Sequence, residues 1–378
     1  MKTQHLITMA SKQVWPQILL TMHLAPERLT ILHSKDKQES QTPAKRLKKF
    51  FNNTGIIRTG AIDIKEIPHD DFQGIQRVLD QLDVGSAGSC IINLTGGNKL
   101  MSLAAMKWAE GKKIPAVYLE RGNKIIHLSQ ENGQTESVEQ QINAHLSDSV
   151  SPLDLVRCQL VDSEIFAEGE QITLNKQGIA LSSDTFWDTV QSRVPLDFLS
   201  LTGKVRRNQA NEGDRLEYLT ALVLLKLGVK KVIRSIEIKE KEQKSPHAEI
   251  DILFNYGGRL WIGDCKDRNS RDWMFKAITQ QFGSESDIGN RIVGELKISG
   301  LKEMKDDLMS ANITGGLQAQ IICIRKTPFT EPEQQYANAN RIAVATKKTL
   351  YDDMRRILNP RRSATTADLE TLKAIFNS

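Results

Sequence analysis

The chain has 378 residues, more than one hydrophobic core usually organises, so two domains are expected. Lys and Arg outnumber Asp and Glu by 51 to 46, a net charge of +5 that is compatible with a polyanionic partner without requiring one. With 39% hydrophobic and 26% charged residues, wholesale disorder is excluded.

The longest uninterrupted aliphatic run, 221–225, falls far short of the ~20 residues of a membrane-spanning helix. The N-terminus offers only Leu6 and Ile7 before Thr8, too little for a signal-peptide core. Cys90, Cys158, Cys265 and Cys323 form no CxxC pair, which argues against structural zinc and a disulfide scaffold. A reduced, cytoplasmic protein with no membrane segment is the expectation.

Short apolar runs at 5–9, 29–33, 62–67, 90–94 and 114–119 alternate with amphipathic stretches, the pattern of βαβ units on a mainly parallel sheet. A Rossmann-like domain is therefore expected over 1–150, with the Gln-, Ser-, Asn- and Glu-rich residues 129–150 as its polar boundary. Residues 151–205 read as a connector with a hairpin near 175–178 and a helix near 184–193. A second α/β domain follows over 206–378: a helix at 216–225 that is apolar on most of its circumference, strands at 231–238, 248–254 and 259–265, helices near 271–282 and 295–310, and a strand at 320–325.

The strand at 90–94 runs into Thr95-Gly96-Gly97-Asn98-Lys99, where a helix carrying Leu100, Leu103, Ala104 and Trp108 on one stripe begins. Paired glycines let a ligand approach the backbone, and the open amides and dipole of a helix start favour an anion, phosphate above all. Thr95 and Asn98 add short hydrogen-bonding side chains, and Lys99 adds a cation. The spacing is neither GxGxxG nor GxxxxGK[ST], so neither a dinucleotide nor a Walker-type site is favoured. A turn that merely caps the helix would show the same residues. Ser11 follows the first strand, and loops at strand carboxyl ends share the crevice of a doubly wound sheet, so it either faces the same site as Thr95 or is simply one of the polar residues that any first β-to-α loop carries.

The stretch 248–266 contains two runs of period two around Gly257-Gly258 and predicts a β-hairpin. If the glycines form the loop, Tyr256 pairs with Arg259, Asp251 lies opposite Asp264, and Glu249 opposite Lys266. Those four charged residues then share one face, while Ile250, Ile252, Phe254, Trp261 and Cys265 share the other. Two carboxylates directly across a ladder sit roughly 5 Å apart and repel, unless a divalent cation lies between them. Hard oxygen ligands without a His or Cys cluster suit Mg²⁺ or Mn²⁺. Lys266 is placed to orient or deprotonate a water, or to neutralise a phosphorane-like transition state. Glu217 stands alone in an apolar helix, a costly placement unless it reaches a metal or a cation. A solvent-facing strand with ordinary ion pairs is the competing reading. The basic residues Lys204, Arg206, Arg207, Arg268 and Arg271 flank this set and are either substrate contacts or a solvated face.

The set of Glu217, Asp251 and Asp264-Cys265-Lys266 resembles the PD-(D/E)xK superfamily of restriction-endonuclease-like nucleases, with Ile250 where many members have Pro. Thr95-Gly96-Gly97-Asn98-Lys99-Leu100-Met101-Ser102 resembles the ligand motif of the CARF domain, the cyclic-oligoadenylate sensor of type III CRISPR systems. The two together resemble the Can/Card group of CRISPR ancillary nucleases over essentially the whole chain. That resemblance implies a homodimer with cyclic tetra-adenylate bound at Ser11 and Thr95 to Lys99 of both subunits. It further implies Asp251, Asp264 and Glu217 as ligands of Mg²⁺ or Mn²⁺, Lys266 as the residue that orients or activates the attacking water, and single-stranded DNA or RNA as substrate. A non-catalytic sensor that only docks nucleic acid, and a constitutive DNA nuclease, are the alternatives.

Overall fold

The computed structural model describes residues 3–85, 88–120, 123–131, 134–160, 165–175, 178–181, 212–240, 248–266, 304–306, 309, 315–316 and 319–359. The helices expected near 184–193 and 271–282, most of that near 295–310, and Lys204, Arg206, Arg207, Arg268 and Arg271 lie outside the described residues. The chain divides into two units, one of residues 1–150 and 154–163, the other of 151–153 and 164–378.

In the first unit the order is β1 (His5–Met9), α1 (Trp15–Leu24), β2 (Arg28–His33), α2 (Thr42–Thr54), β3 (Ile62–Glu66), α3 (Phe72–Asp80), β4 (Cys90–Asn93), α4 (Lys99–Lys112), β5 (Ala116–Glu120), β6 (Lys124–Glu131) and β7 (Gln134–Gln141). All seven strands form one sheet in the order β3-β2-β1-β4-β5-β6-β7. β1 runs parallel to β2 on one side and β4 on the other, with Thr8 level with both Ile31 and Asn93. Every residue of β1 is buried, as an interior parallel strand covered on both faces requires. α4 supplies Met101, Ala104, Ala105 and Trp108 to a core shared with Ile7, Met9 and Ile92.

The chain builds outward from β1 through β2 to β3, then returns to place β4 on β1's other side, so the loops after β1 and β4 diverge at a topological switch point. A ligand crevice is expected there. The polar boundary at 129–150 proves instead to hold the end of β6, all of β7 and a short 3₁₀ turn at Ala144–Ser149. β7 is an edge strand with Glu136 to Gln141 exposed, so its backbone pairing with β6 holds it in the sheet without an apolar face to reveal it.

Helix α5 (Pro152–Gln159) opens the segment read as a connector, and β8 (Ile165–Asn175) and β9 (Gly178–Leu181) follow, pairing from Asn175 and Gly178 at the expected turn. Next come α6 (Glu212–Lys226), β10 (Lys231–Glu240), β11 (Ala248–Tyr256), β12 (Arg259–Lys266), β13 (Ala319–Arg325), α7 (Glu331–Asn340), β14 (Ala343–Thr346) and α8 (Leu350–Leu358). Their sheet has the order β14-β13-β12-β11-β10-β8-β9, so the hairpin of 175–178 is its edge. β11 and β12 pair from Tyr256–Arg259 to Ile252–Gly263, in the expected register. Gly257 and Gly258 take φ of 61° and 77°, the left-handed pair that a two-residue hairpin turn demands.

α6 packs Leu216, Leu219, Leu222 and Val223 into a cluster with Ile252, Phe254, Trp261 and Cys265. The opposite face is not left to charge along its length. Leu253, Asn255, Leu260 and Ile262 share the alternation of Asp251 and Asp264 and are buried, so both faces are covered and the charged groups emerge only near the far ends of β11 and β12.

Candidate functional sites

At the switch point of the first unit, the backbone of the β4–α4 turn is fixed by what it packs against. Gly96 has φ 114°, and a Cβ there would meet the Met9 carbonyl oxygen at 2.5 Å and Gln17 Nε2 at 2.6 Å. Gly97 follows with φ 64°, a conformation that side-chain-bearing residues rarely adopt. Asn98 caps α4: its Oδ1 accepts from Met101 N–H at 2.8 Å, and its Nδ2 donates to the His69 carbonyl at 2.7 Å. Both ends of this amide are therefore engaged in holding the turn. Thr95 Oγ1 accepts from Leu119 N–H at 2.6 Å, which leaves its hydroxyl hydrogen and one lone pair as its remaining contribution.

Gly97, Asn98 and Lys99 are exposed, and their N–H groups meet no acceptor among the described residues. The helix start is thus open to an anion, with Lys99 beside it. Ser11 is half-buried on the neighbouring loop, where its hydroxyl donates to the Gln13 carbonyl at 3.2 Å. Because β1 and β4 are adjacent, Ser11 and Thr95 follow neighbouring strand ends, as the spacing predicts.

In the second unit the ends of β11 and β12 bring Asp251, Asp264 and Lys266 together. Asp251 Oδ2 accepts from the Cys265 N–H at 2.7 Å, and Lys266 Nζ lies 2.6 Å from Asp264 Oδ1. Burial, then the neighbouring Asp264 charge, push the Asp251 carboxyl up to about 6, against the Cys265 amide and Lys266, which favour its ionised form. The other Asp264 oxygen, Oδ2, is buried with no hydrogen-bond partner among the described residues. Lys266 thus pairs with the carboxylate two residues before it on its own strand, while Glu249 lies level with Glu237 of β10.

Glu217 has a different partner. Its Oε2 lies 2.8 Å from Arg234 Nη1, and both side chains are largely buried. Arg234 sits level with Ile252, on the face that α6 covers, and Thr220 of that helix reaches Cys265 Sγ at 3.8 Å. Burial and then the charges of Asp251, Glu217 and Asp264 hold the Cys265 thiol well above its usual range. That thiol is inert packing between the carboxylates. Among the described residues, no group of three or more His, Cys, Asp or Glu side chains is arranged to hold a metal ion. Two carboxylates remain, Asp251 raised by burial and then by Asp264, and Asp264 with an oxygen that has no partner among the described residues, a donor set that a hard divalent cation fits.

Residues 5–146 match the family model of the Card1 CARF domain. The first unit has the CARF fold. No curated protein matches the chain. Among solved structures, Can2 from Sulfobacillus thermosulfidooxidans in complex with cyclic tetra-adenylate is similar over 95% of this chain and 98% of that one, at 14% identity and TM-score 0.55. Protein VC1899 from Vibrio cholerae is similar over 96% of this chain and 99% of that one, at 11% identity and TM-score 0.57. At such identity these likenesses speak to fold, and they extend it from the CARF portion over the second α/β unit. Among the described residues no helix is long and apolar enough to cross a membrane.

Two features of these sites carry no legible signal in the sequence. Gln17 lies inside α1 and its role depends on a loop far along the chain; Arg234 is a basic residue in a strand with an ordinary alternation. Each becomes visible only once the partner, Thr95 or Glu217, is placed beside it.

Proposed function

We propose that the protein is a cyclic-oligoadenylate sensor of CRISPR defence whose second unit is a metal-dependent endonuclease. The CARF match over 5–146 supports the sensing half, and the Sulfobacillus Can2 structure, solved with cyclic tetra-adenylate, suggests that ligand for the open turn at Gly97 to Lys99. The nuclease half is carried by one observation: Asp251, raised to about 6 by burial and Asp264, stands beside an Asp264 oxygen that has no partner among the described residues.

A Mg²⁺ or Mn²⁺ ion held by Asp251 and Asp264 would supply charge stabilisation and a nucleophile for phosphodiester hydrolysis. The residues do the rest. The Cys265 N–H fixes the Asp251 carboxylate in one orientation, and Lys266, anchored on Asp264, keeps its ammonium beside the scissile phosphate, where it offsets developing charge and orients the attacking water. Glu217 is committed to Arg234, so this reading gives it no direct part in metal binding. A homodimer, with the messenger contacting Ser11 and the glycine turn of both subunits, completes the proposal.

The test is a panel of labelled single-stranded DNA and RNA, incubated with and without cyclic tetra-adenylate in Mg²⁺ or Mn²⁺. Cleavage that needs both messenger and metal is expected. No cleavage of any strand would leave a non-catalytic sensor, and an equal rate without messenger would leave a constitutive nuclease.

A further inference from the structure

Gln17 is buried to 1% exposure within α1, yet its side chain belongs to the ligand turn. Its Nε2 donates to two carbonyl oxygens at 3.0 Å each, that of Met9 at the end of β1 and that of Thr95 just after β4. Both partners are acceptors, so the amide has one possible orientation: NH₂ toward the two loops and Oε1 away from them. That oxygen is buried and has no partner among the described residues. A buried amide that gives up one acceptor to reach two loops carries a cost that a space-filling apolar side chain of the same length would avoid.

The two bonds join the strand ends on either side of the switch point, which the backbone ladder itself leaves unpaired beyond Thr8 and Asn93. The clamped turn is also the one pressed against the clamp: a Cβ at Gly96 would stand 2.6 Å from Gln17 Nε2. Gln17 therefore sets where Gly96 and Gly97 lie relative to Ser11.

We infer that Gln17 is a positioning residue for the messenger site, a latch that holds the β1 and β4 loops at the separation at which Ser11 and the Gly97–Lys99 amides can engage one ligand. The inference rests on the reading of that turn as the oligoadenylate site. Gln17 does not touch the messenger; it acts through the Met9 and Thr95 carbonyls.

Two isosteric variants of the full chain test it by calorimetric titration with cyclic tetra-adenylate. Gln17→Met keeps the volume and removes both donors; Gln17→Glu keeps the volume and sets acceptors against both carbonyls. Affinity is expected to fall about tenfold in the first, as the two loops lose their fixed separation, and further in the second. Wild-type affinity in Gln17→Met would show that the residue only fills space and would overturn the inference. Absence of binding by the unsubstituted protein would instead overturn the sensing reading. Should either variant not fold, the Gln17 side-chain amide resonance of the unsubstituted protein decides: it must shift with cyclic tetra-adenylate on the same isotherm as the Gly97 backbone amide, and a resonance that stays still contradicts the latch.

Discussion

The carboxylate of Asp251 reaches across the hairpin and accepts the backbone N–H of Cys265 at 2.7 Å, so the end of β11 is tied to β12 through a side chain whose carboxyl burial and then Asp264 push up to about 6. The proton has a thermodynamic consequence. The folded chain holds it up to about 6, whereas the unfolded carboxyl loses it near 3.8. Asp251 therefore contributes stability that is present below the lower value and lost as pH rises through the higher one.

Calorimetry of the full chain against Asp251→Asn should show this as a wild-type deficit that grows by about 2 kcal/mol between about pH 4 and pH 7. Added Mg²⁺ or Mn²⁺ should recover part of the deficit in the wild type and none in the variant. A difference that stays flat with pH would mean that the carboxyl is not raised.

The Glu217–Arg234 pair is nearly sequestered from solvent, with side-chain exposures of 12% and 5%. Removing one member of such a pair strands the other charge, so Glu217→Ala and Arg234→Ala should each destabilise the second unit by about 3 kcal/mol or more. The double variant should cost less than the two together, measured by denaturant titration. Additive costs would show that the two groups do not depend on each other.

Gly96→Ala introduces a methyl group where the Met9 carbonyl stands at 2.5 Å, at a φ of 114°. Backbone must shift, and the shift moves the turn that carries the open amides. Messenger affinity should fall at least about tenfold, while Gly55→Ala, at φ 67° but with nothing within 4 Å, should leave it unchanged. Equal affinity in both would make the β4–α4 turn a cap and nothing more.

The interior strands β1 and β2 of the first unit were legible because they are buried almost throughout and so read as apolar runs, whereas the edge strand β7, with only Val138 apolar among its exposed residues, shows none. The hairpin register from Tyr256–Arg259 to Ile252–Gly263 followed from Gly257-Gly258, but the ladder ends there, so the expected pairs Asp251–Asp264 and Glu249–Lys266 are not part of it. What alternation could not show is that Leu253 and Ile262 are covered on the charged face, because cover comes from elements distant in sequence. Asn98 illustrates the limit within a motif: its residue type suits ligand binding and helix capping equally, and the bond to Met101 shows that the cap is made. Glu217 was legible as a buried carboxylate needing a partner, but the partner, Arg234, sits on a strand whose position beside α6 no local pattern encodes.

Cleavage of a labelled single strand by Asp251→Asn and Lys266→Ala, in the presence of cyclic tetra-adenylate and Mn²⁺, probes the centre of the account. Both substitutions lie in the second unit, far along the chain from the turn that ends β4. Turnover should drop at least about a hundredfold in each, with messenger affinity close to that of the unsubstituted protein. Turnover at the unsubstituted rate in both variants would contradict the assignment of Asp251, Asp264 and Lys266 as the hydrolytic centre.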